Sequence, residues 1–324
     1  MIKGKKVLIT GGAGFIGVSI AEKLIDDNEI IIADFNLTDN AIQYSNLLGH
    51  KNIKMVDLDI MDVENCKNVI SGDINVVIHL AAMIGVQHVL KNSSRTLNVN
   101  YVGTLNVIEA SKHLPNLERF VFFSTSEVFG SNAYQVIENG NSVLETIENK
   151  RWCYSLSKLA AEHLAFSYFR EKQMPVVVIR PFNVFGPKRV GDNVTRKFIL
   201  NALTNKDLIV YGNGTQIRSW CYIDDFSDGV ISTLDNDKAI GEAFNLGNAL
   251  NVITAYNLAK TIIRICKSDS KIVFVEPQFQ DIDIRVPGIE KATKILGYKP
   301  QFDIETGLNR TIEWFKENLD SLNK

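Results

Sequence analysis

Tyr154 and Lys158 stand four residues apart in RWCYSLSK, at the head of a segment, KLAAEHLAFSYF, with helical periodicity. Residues at that spacing share one face of a helix. An ammonium beside a phenol favours phenolate, so the pair can take a proton from a hydroxyl while hydride leaves the carbon. A second cluster lies in STSEVFG (124–130), where the apolar run RFVFF (119–123) ends in the hydroxyls of Ser124, Thr125 and Ser126 and the carboxylate of Glu127. A buried strand has no structural use for a carboxylate at its tip. Glu127 is therefore a candidate acid/base, the alternative being a brace for the strand end through backbone hydrogen bonds.

A third group is TGGAGFIG (10–17), which follows an apolar run directly and leads into the helical pattern GVSIAEKLI. Gly11, Gly14 and Gly17 allow a tight turn, close approach of backbone to a pyrophosphate and close helix packing, and the helix amino end offers amide donors. Asp34 ends the next apolar run, at the distance where an acid meets the adenosine ribose hydroxyls. The following FNLTDN (35–40) brings no Arg or Lys to offset repulsion of a 2′-phosphate, which favours NAD over NADP. A helix cap or a loop acid is the alternative role for Asp34.

These residues need a scaffold, and the rest of the sequence supplies one. Short apolar runs recur at 5–10, 29–34, 52–57, 75–80, 119–124 and 175–180, separated by longer amphipathic segments. That alternation predicts parallel strands joined by helical crossovers. Runs apolar on both faces predict a sheet covered on both sides. The expected fold is α/β, a doubly wound parallel sheet over residues 1–180, with a smaller mixed α/β substrate lobe over 181–324. That boundary is approximate and the elements can interleave. No Gly-, Ser- or Pro-rich linker separates the halves, so they should share a cleft.

Composition narrows the function classes. A net charge of −2 with scattered Lys and Arg gives no electrostatic footprint for nucleic acid. Cys66, Cys153, Cys221 and Cys266 are far apart and have no His cluster beside them, so neither a metal site nor a disulfide framework is signalled. No apolar run approaches the roughly 18 residues of a membrane span. A reducing, cytoplasmic setting is expected.

Taken together, TGGAGFIG, the strand-end acid, HLAA (79–82), NYVGTLN (100–106), the hydroxyl cluster and the Tyr154/Lys158 pair resemble the extended short-chain dehydrogenase/reductases that modify nucleotide sugars, the NAD-dependent epimerase/dehydratase group. The likeness covers nearly the whole chain. RPFNVFGP (180–187), YGNGTQIRSWCYIDD (211–225) and FNLGN (244–248) are similar to its substrate-lobe motifs in their usual order. It implies bound NAD and a nucleoside-diphosphate sugar, expected to be UDP-linked. It implies that Tyr154 is the base that starts C4 oxidation, that Lys158 positions the nicotinamide ribose and tunes Tyr154, and that Thr125 shares the C4 hydroxyl proton. On the same grounds Phe15 and Ile16 of the glycine-rich loop, Asp59, Ile60, Leu80, Ala81, Ala82 and Asn100 contact the dinucleotide, with Asp59 and Ile60 at the adenine. Asn183 and Arg218 match positions that hold the sugar-nucleotide diphosphate. Asn100 and Asn183 as turn caps, and Arg218 as a surface charge, are the plainer alternatives. Related enzymes pair through two helices matching 95–113 and 152–173, which implies a homodimer.

Within that group Glu127 separates the reactions. A C4 epimerase has no step for a carboxylate. Once C4 is a ketone, a Glu can remove the C5 proton so that the C6 hydroxyl leaves, which is 4,6-dehydration, and the expected reaction is elimination of this type on a UDP-N-acetylhexosamine. The triplet here is Thr125-Ser126-Glu127, with Ser126 where the best-known hexose dehydratases carry an acid. Thr-Ser-Glu resembles both UDP-glucuronate-type decarboxylases and some dehydratases of UDP-N-acetylhexosamines, and RWCYSLSK and IRVPGIEKATKILGYKP (284–300), whose Arg285 matches an important arginine of the decarboxylases, also resemble that group. Decarboxylation of a UDP-hexuronate and C4 epimerisation are the alternatives.

Overall fold

Each apolar run becomes a strand of one parallel sheet in the computed structural model, which describes residues 1–38, 40–277 and 281–322. The first half of the chain runs β1 (Lys6–Thr10), α1 (Phe15–Leu24), β2 (Glu29–Asp34), β3 (Ile53–Asp57), α2 (Val63–Val69), β4 (Val76–His79), α3 (Val86–Lys91), α4 (Ser93–Ser111), β5 (Arg119–Phe123), β6 (Asn132–Val136), α5 (Trp152–Lys172) and β7 (Val176–Pro181). The second half adds β8 (Val184–Phe185), α6 (Val194–Leu203), β9 (Leu208–Tyr211), β10 (Ile217–Ser219), β11 (Cys221–Tyr222), α7 (Ile223–Ile231), β12 (Glu242–Leu246), β13 (Val252–Thr254), α8 (Ala255–Cys266), β14 (Ile272–Val275), β15 (Ile284–Pro287), α9 (Glu290–Leu296) and α10 (Ile304–Glu317).

Among the described residues the central sheet has the order β12-β7-β5-β4-β1-β2-β3, every neighbouring pair parallel. Because side chains alternate across a strand, the runs feed two apolar layers. Val7, Ile9, Ile30, Ile32, Val76, Ile78, Val121 and Val177 face one, and α1 and α7 cover it. Leu8, Ile31, Val77, Phe120, Phe122 and Val178 face the other, against α4 and α5. This is the doubly wound, Rossmann-like arrangement expected from the sequence.

The two halves of the chain interleave. Strand β12 returns from the second half to pair with β7 at the edge of the central sheet. In the other direction, β6 leaves the first half to pair with β15 in a separate sheet of order β13-β10-β15-β6. The second exchange positions the site. Strand β6 begins five residues after Glu127, and its pairing with β15 brings Arg285 opposite Ala133. Arg285 is in turn the register partner of Arg218 on β10.

The order reverses at β1/β4, the place where, in sheets of this kind, ligands bind at the carboxyl ends of the strands. The chain can turn there only because of glycine. Gly11 has φ +68°, and a Cβ on it would sit 2.7 Å from the Ala81 nitrogen.

Candidate active site

Tyr154 and Lys158 lie on the first turns of α5, whose amino end abuts the turn after β5. Thr125 caps that turn, its Oγ1 accepting from the Glu127 amide at 3.2 Å, and its side chain acts on the Tyr154 phenol. Lys158 donates from Nζ to the Phe123 carbonyl at 2.8 Å and lies over the Phe122 ring. The base, the shared hydroxyl and the ammonium therefore meet at the tip of β5. Ser155 adds a brace, donating to the Glu127 carbonyl at 2.7 Å.

Burial dominates the electrostatics. It lowers the Lys158 ammonium to about 7. It raises the Tyr154 phenol well above its usual value, with the Glu127 charge adding to the rise, while Thr125 and Arg285 work the other way. In this state the phenol keeps its proton, and a positive charge brought close to it would be needed to release it.

Glu127 is gripped by two guanidiniums. Its Oε1 lies 3.5 Å from Arg151 Nη2 and 3.4 Å from Arg285 Nη1. Burial alone would raise its pKa, but Arg151 and Arg285 outweigh burial and hold the carboxyl below its ordinary range. The cluster extends outward: Asp281 Oδ1 bridges Arg151 Nη1 at 3.0 Å and Arg218 Nη2 at 3.3 Å. Three guanidiniums, Arg151, Arg218 and Arg285, thus share one cleft with Glu127 and Asp281, and the Asp283 charge also acts on Arg218. Burial lowers Arg285 to about 10 despite the opposing pull of Glu127. Ser126 is buried beside them but brings no charge.

Sequence reasoning singled out Glu127, Arg218 and Arg285 but not Arg151 or Asp281. Arg151 sits three residues before Tyr154, one helical turn back, which is a signal that the motif RWCYSLSK carries. Asp281 reaches Arg151 across 130 positions and has no local signal.

The nucleotide end is equally specific. Helix α1 starts at Phe15 and Ile16 with Gly14 as its cap residue, so no capping side chain covers the first-turn amides. Asp34 takes the Ala13 amide on Oδ2 and the Asn36 amide on Oδ1, both at 3.1 Å, and retains lone pairs for hydroxyl donors. In the neighbouring FNLTDN segment, Asp39 lies outside the described residues. Leu80, Ala81 and Ala82 cross the end of β1, the Leu80 amide meeting the Thr10 carbonyl at 2.9 Å. Ile60 is buried against Gly103 of α4, while Asp59 is exposed and caps the Met61 amide at 2.9 Å. Asn100 is held by protein on both ends of its amide. Its Oδ1 accepts from the Met83 amide at 2.7 Å, and its Nδ2 donates to the Met83 carbonyl and to Ser157 Oγ. His79 of HLAA is a wedge: burial, then Lys158, lowers it to about 3, and it bridges Thr10 and Thr104 at 2.7 and 3.0 Å.

Asn183 has a buried Nδ2 with no hydrogen-bond partner among the described residues, as does the Ser124 hydroxyl. Buried polar atoms are rarely left so. An orphan amide donor fits a ligand with an acceptor oxygen, and the Asn183 carbonyl accepts from the amide of Cys221, three residues after Arg218. The uncovered first-turn amides and the ribose-facing carboxylate likewise fit a dinucleotide.

Residues 8–311 match the family described as GDP-mannose 4,6 dehydratase. The chain belongs to that family. Its members are extended, NAD-dependent nucleotide-sugar dehydratases, decarboxylases and epimerases. Among curated relatives, a UDP-N-acetyl-alpha-D-glucosaminuronate decarboxylase of Bacillus cytotoxicus is 32% identical over 97% of this chain and 98% of its own. Among solved structures, a UDP-glucuronic acid 4-epimerase from Bacillus cereus, in complex with UDP-glucuronic acid and NAD, has a TM-score of 0.87 at 28% identity, covering 96% of this chain and 99% of that one. A dTDP-glucose 4,6-dehydratase from Bacillus anthracis, in complex with NAD, has a TM-score of 0.86 at 26% identity and covers 98% of both chains. The family cofactor is NAD. No helix among the described residues is long and apolar enough to cross a membrane.

Proposed function

We propose that this member of the family decarboxylates a UDP-hexuronate. The observation that carries the reading is Glu127 held between Arg151 and Arg285. A base that removes a C5 proton, as 4,6-dehydration requires, works best with a pKa near the working pH. A carboxyl held low by two guanidiniums is a weak base. Ser126, next to it, supplies no acid for a departing C6 hydroxyl. Decarboxylation needs neither group. It needs cations that accept a substrate carrying both a diphosphate and a carboxylate, and the cluster of Arg151, Arg218 and Arg285 offers them.

The residues then take the following roles. Asn183 and Arg218 hold the diphosphate. Arg285, with Arg151 behind it, orients the C6 carboxylate. Thr125 and Tyr154 hydrogen-bond the C4 hydroxyl, and Tyr154 takes its proton, with the Lys158 charge favouring phenolate. Asp34 and the amino end of α1 would hold NAD, which would supply the hydride acceptor for C4. With C4 a ketone, the sugar is a β-keto acid. The C5–C6 bond breaks, carbon dioxide leaves, and the electron pair passes into a C4–C5 enolate whose oxygen receives hydrogen bonds from Thr125 and Tyr154. Water held against Glu127 returns a proton to C5, and C4 then takes back the hydride while its oxygen recovers the proton from Tyr154, so the product is a UDP-pentose lighter by one carbon dioxide with no net oxidation.

The test is to incubate the enzyme with UDP-glucuronate, UDP-N-acetylglucosaminuronate, UDP-N-acetylglucosamine and UDP-glucose, and to weigh the products. Loss of one carbon dioxide from a hexuronate supports the proposal. Loss of one water from UDP-N-acetylglucosamine or UDP-glucose replaces it with dehydration, and an unchanged mass with altered proton couplings replaces it with epimerisation.

A further inference from the structure

Just past Arg285 its strand loses register with β6. Arg285 lies opposite Ala133 and Val286 opposite Tyr134, but Pro287 lies opposite Val136, which leaves Gln135 as an extra residue on β6. Gln135 has φ +49°, left-handed for a side chain that does not favour it. Such residues persist where the surroundings hold them. A bulge of this kind bends a strand and re-aims the side chains beside it. Pro287 has no amide hydrogen with which to restore the ladder, so the bend needs a hold from outside the two strands.

Asn245 supplies that hold. It lies fully buried on β12 of the central sheet, and its Nδ2 donates to the Val136 carbonyl at 2.9 Å and to the Gly288 carbonyl at 3.3 Å. One amide thus spans the ends of β6 and β15 immediately beyond the bulge. Its Oδ1 has no hydrogen-bond partner among the described residues, a cost that a side chain kept for packing alone has no reason to carry. The neighbours fix the clamp: the Gly288 amide meets the Val136 carbonyl at 2.9 Å, and the Glu138 carboxylate accepts from the Asn245 amide at 2.9 Å. Arg180, the register partner of Asn245 on β7, donates from Nη1 to the Glu138 carbonyl at 2.9 Å and forms a buried ion pair with Glu162 of α5. Glu162 stands four residues past Lys158, on the face of α5 that carries Tyr154.

We propose that Asn245 is a positioning residue for Arg285: by clamping the strand ends beyond the bulge to the central sheet, it aims the Arg285 guanidinium at Glu127. The effect passes through the backbone of β15, over the three residues from Gly288 back to Arg285. The Arg180–Glu162 pair ties the same clamp to α5, so the helix that carries Tyr154 and the strand that carries Arg285 share one anchor.

The experiment compares full-length, NAD-loaded wild type with Asn245→Leu, which keeps the volume but no donor, with Arg285→Met and with the double variant. The Glu127 carboxyl is titrated by carbon-13 NMR in protein labelled at the glutamate side-chain carboxyls, Glu127→Gln giving the assignment. Arg285→Met should raise the Glu127 midpoint by about one pH unit or more, the scale of losing a close opposite charge. Asn245→Leu should raise it part of the way, and the double variant should match Arg285→Met. A merely weakened fold leaves that midpoint where it was. A midpoint unchanged in either single variant overturns the proposal, as do shifts that add in the double variant, which would place the action of Asn245 elsewhere. The second readout rests on the proposed decarboxylation: in a Tyr154→Phe background, where nothing turns over, the preference for UDP-glucuronate over UDP-glucose should fall about tenfold with Arg285→Met and several-fold with Asn245→Leu, while NAD affinity stays within twofold. A preference kept in Asn245→Leu overturns the proposal. A parent protein without that preference sinks decarboxylation instead, and a shifted Glu127 midpoint then still upholds Asn245 as the residue that places Arg285. If Asn245→Leu fails to fold, Asn245→Ser, with one short donor, takes its place, and a wild-type midpoint in it overturns the proposal equally.

Discussion

Arg285 Nη1 lies 3.4 Å from Glu127 Oε1 although 158 residues separate them in sequence, and the β6–β15 pairing is what closes that distance. On the proposed reading, Glu127 is an anion that orders these cations rather than a free acid/base. Both residues should then be needed for the same step. Glu127→Gln and Arg285→Met should each lower turnover of a UDP-hexuronate by about 10²-fold, and the double variant should lose much less than the product of the two. Steady-state kinetics on the four proteins reads this out. Losses that multiply would mean the two side chains act separately.

Tyr154→Phe should retain NAD and lose turnover by about 10³-fold or more, since the group that takes the C4 proton is gone while the cofactor contacts remain. Absorbance of the purified variant and a turnover assay together check it. At the other end of the cleft, Asp34→Ala should weaken NAD by about tenfold and erode its preference over NADP, because the hydroxyl acceptor and the charge that repels a 2′-phosphate both disappear. A wild type that prefers NADP would overturn this assignment.

The buried Lys158 makes a pH signature. Its folded value is about 7, against an ordinary lysine near 10.4. Between those values the unfolded chain binds the proton that the folded chain has released, so stability rises with pH across that window. Urea titrations of the nucleotide-free protein should show a gain of the order of a few kcal/mol between about pH 7 and pH 10, and Lys158→Met should flatten it. Glu127 acts at the acid end. Its carboxyl is held low, so its ion pairs stabilise fully above the ordinary carboxylate range and are lost as pH falls through the folded value.

Helices α4 and α5 lie side by side against one face of the sheet, and Tyr101 and Leu156 on them remain exposed. We propose that this face pairs with its copy into a homodimer with a four-helix core. Light scattering at micromolar protein should give about twice 36.3 kDa, and Tyr101→Lys with Leu156→Lys should give the monomer mass.

Much of this architecture is legible in the sequence because its determinants are local. The runs at 29–34 and 119–124 become β2 and β5 nearly residue for residue, since β-branched and aromatic side chains bounded by turn residues have no other place in a two-faced sheet. Gly11 and Gly17, and the Tyr154 to Lys158 spacing, are readable for the same reason. The placement of β6 is not: NAYQV is short and only weakly alternating, and its pairing is fixed by β15, far along the chain. Nor could sequence show that Arg151 and Arg285 converge on one carboxylate oxygen. That convergence is what supports the proposed reading of Glu127 as the anchor of a cationic cleft over the C5 base that the triplet alone suggests.

The central claim is that C6 leaves as carbon dioxide after C4 oxidation. The most direct measurement uses UDP-hexuronate carrying carbon-13 at C6, incubated with the enzyme in deuterated water. We predict that the label appears in carbon dioxide and bicarbonate and that the nucleotide-pentose product carries one solvent deuterium at C5. Label retained in the sugar, with water lost or the mass unchanged apart from exchange, would contradict the account.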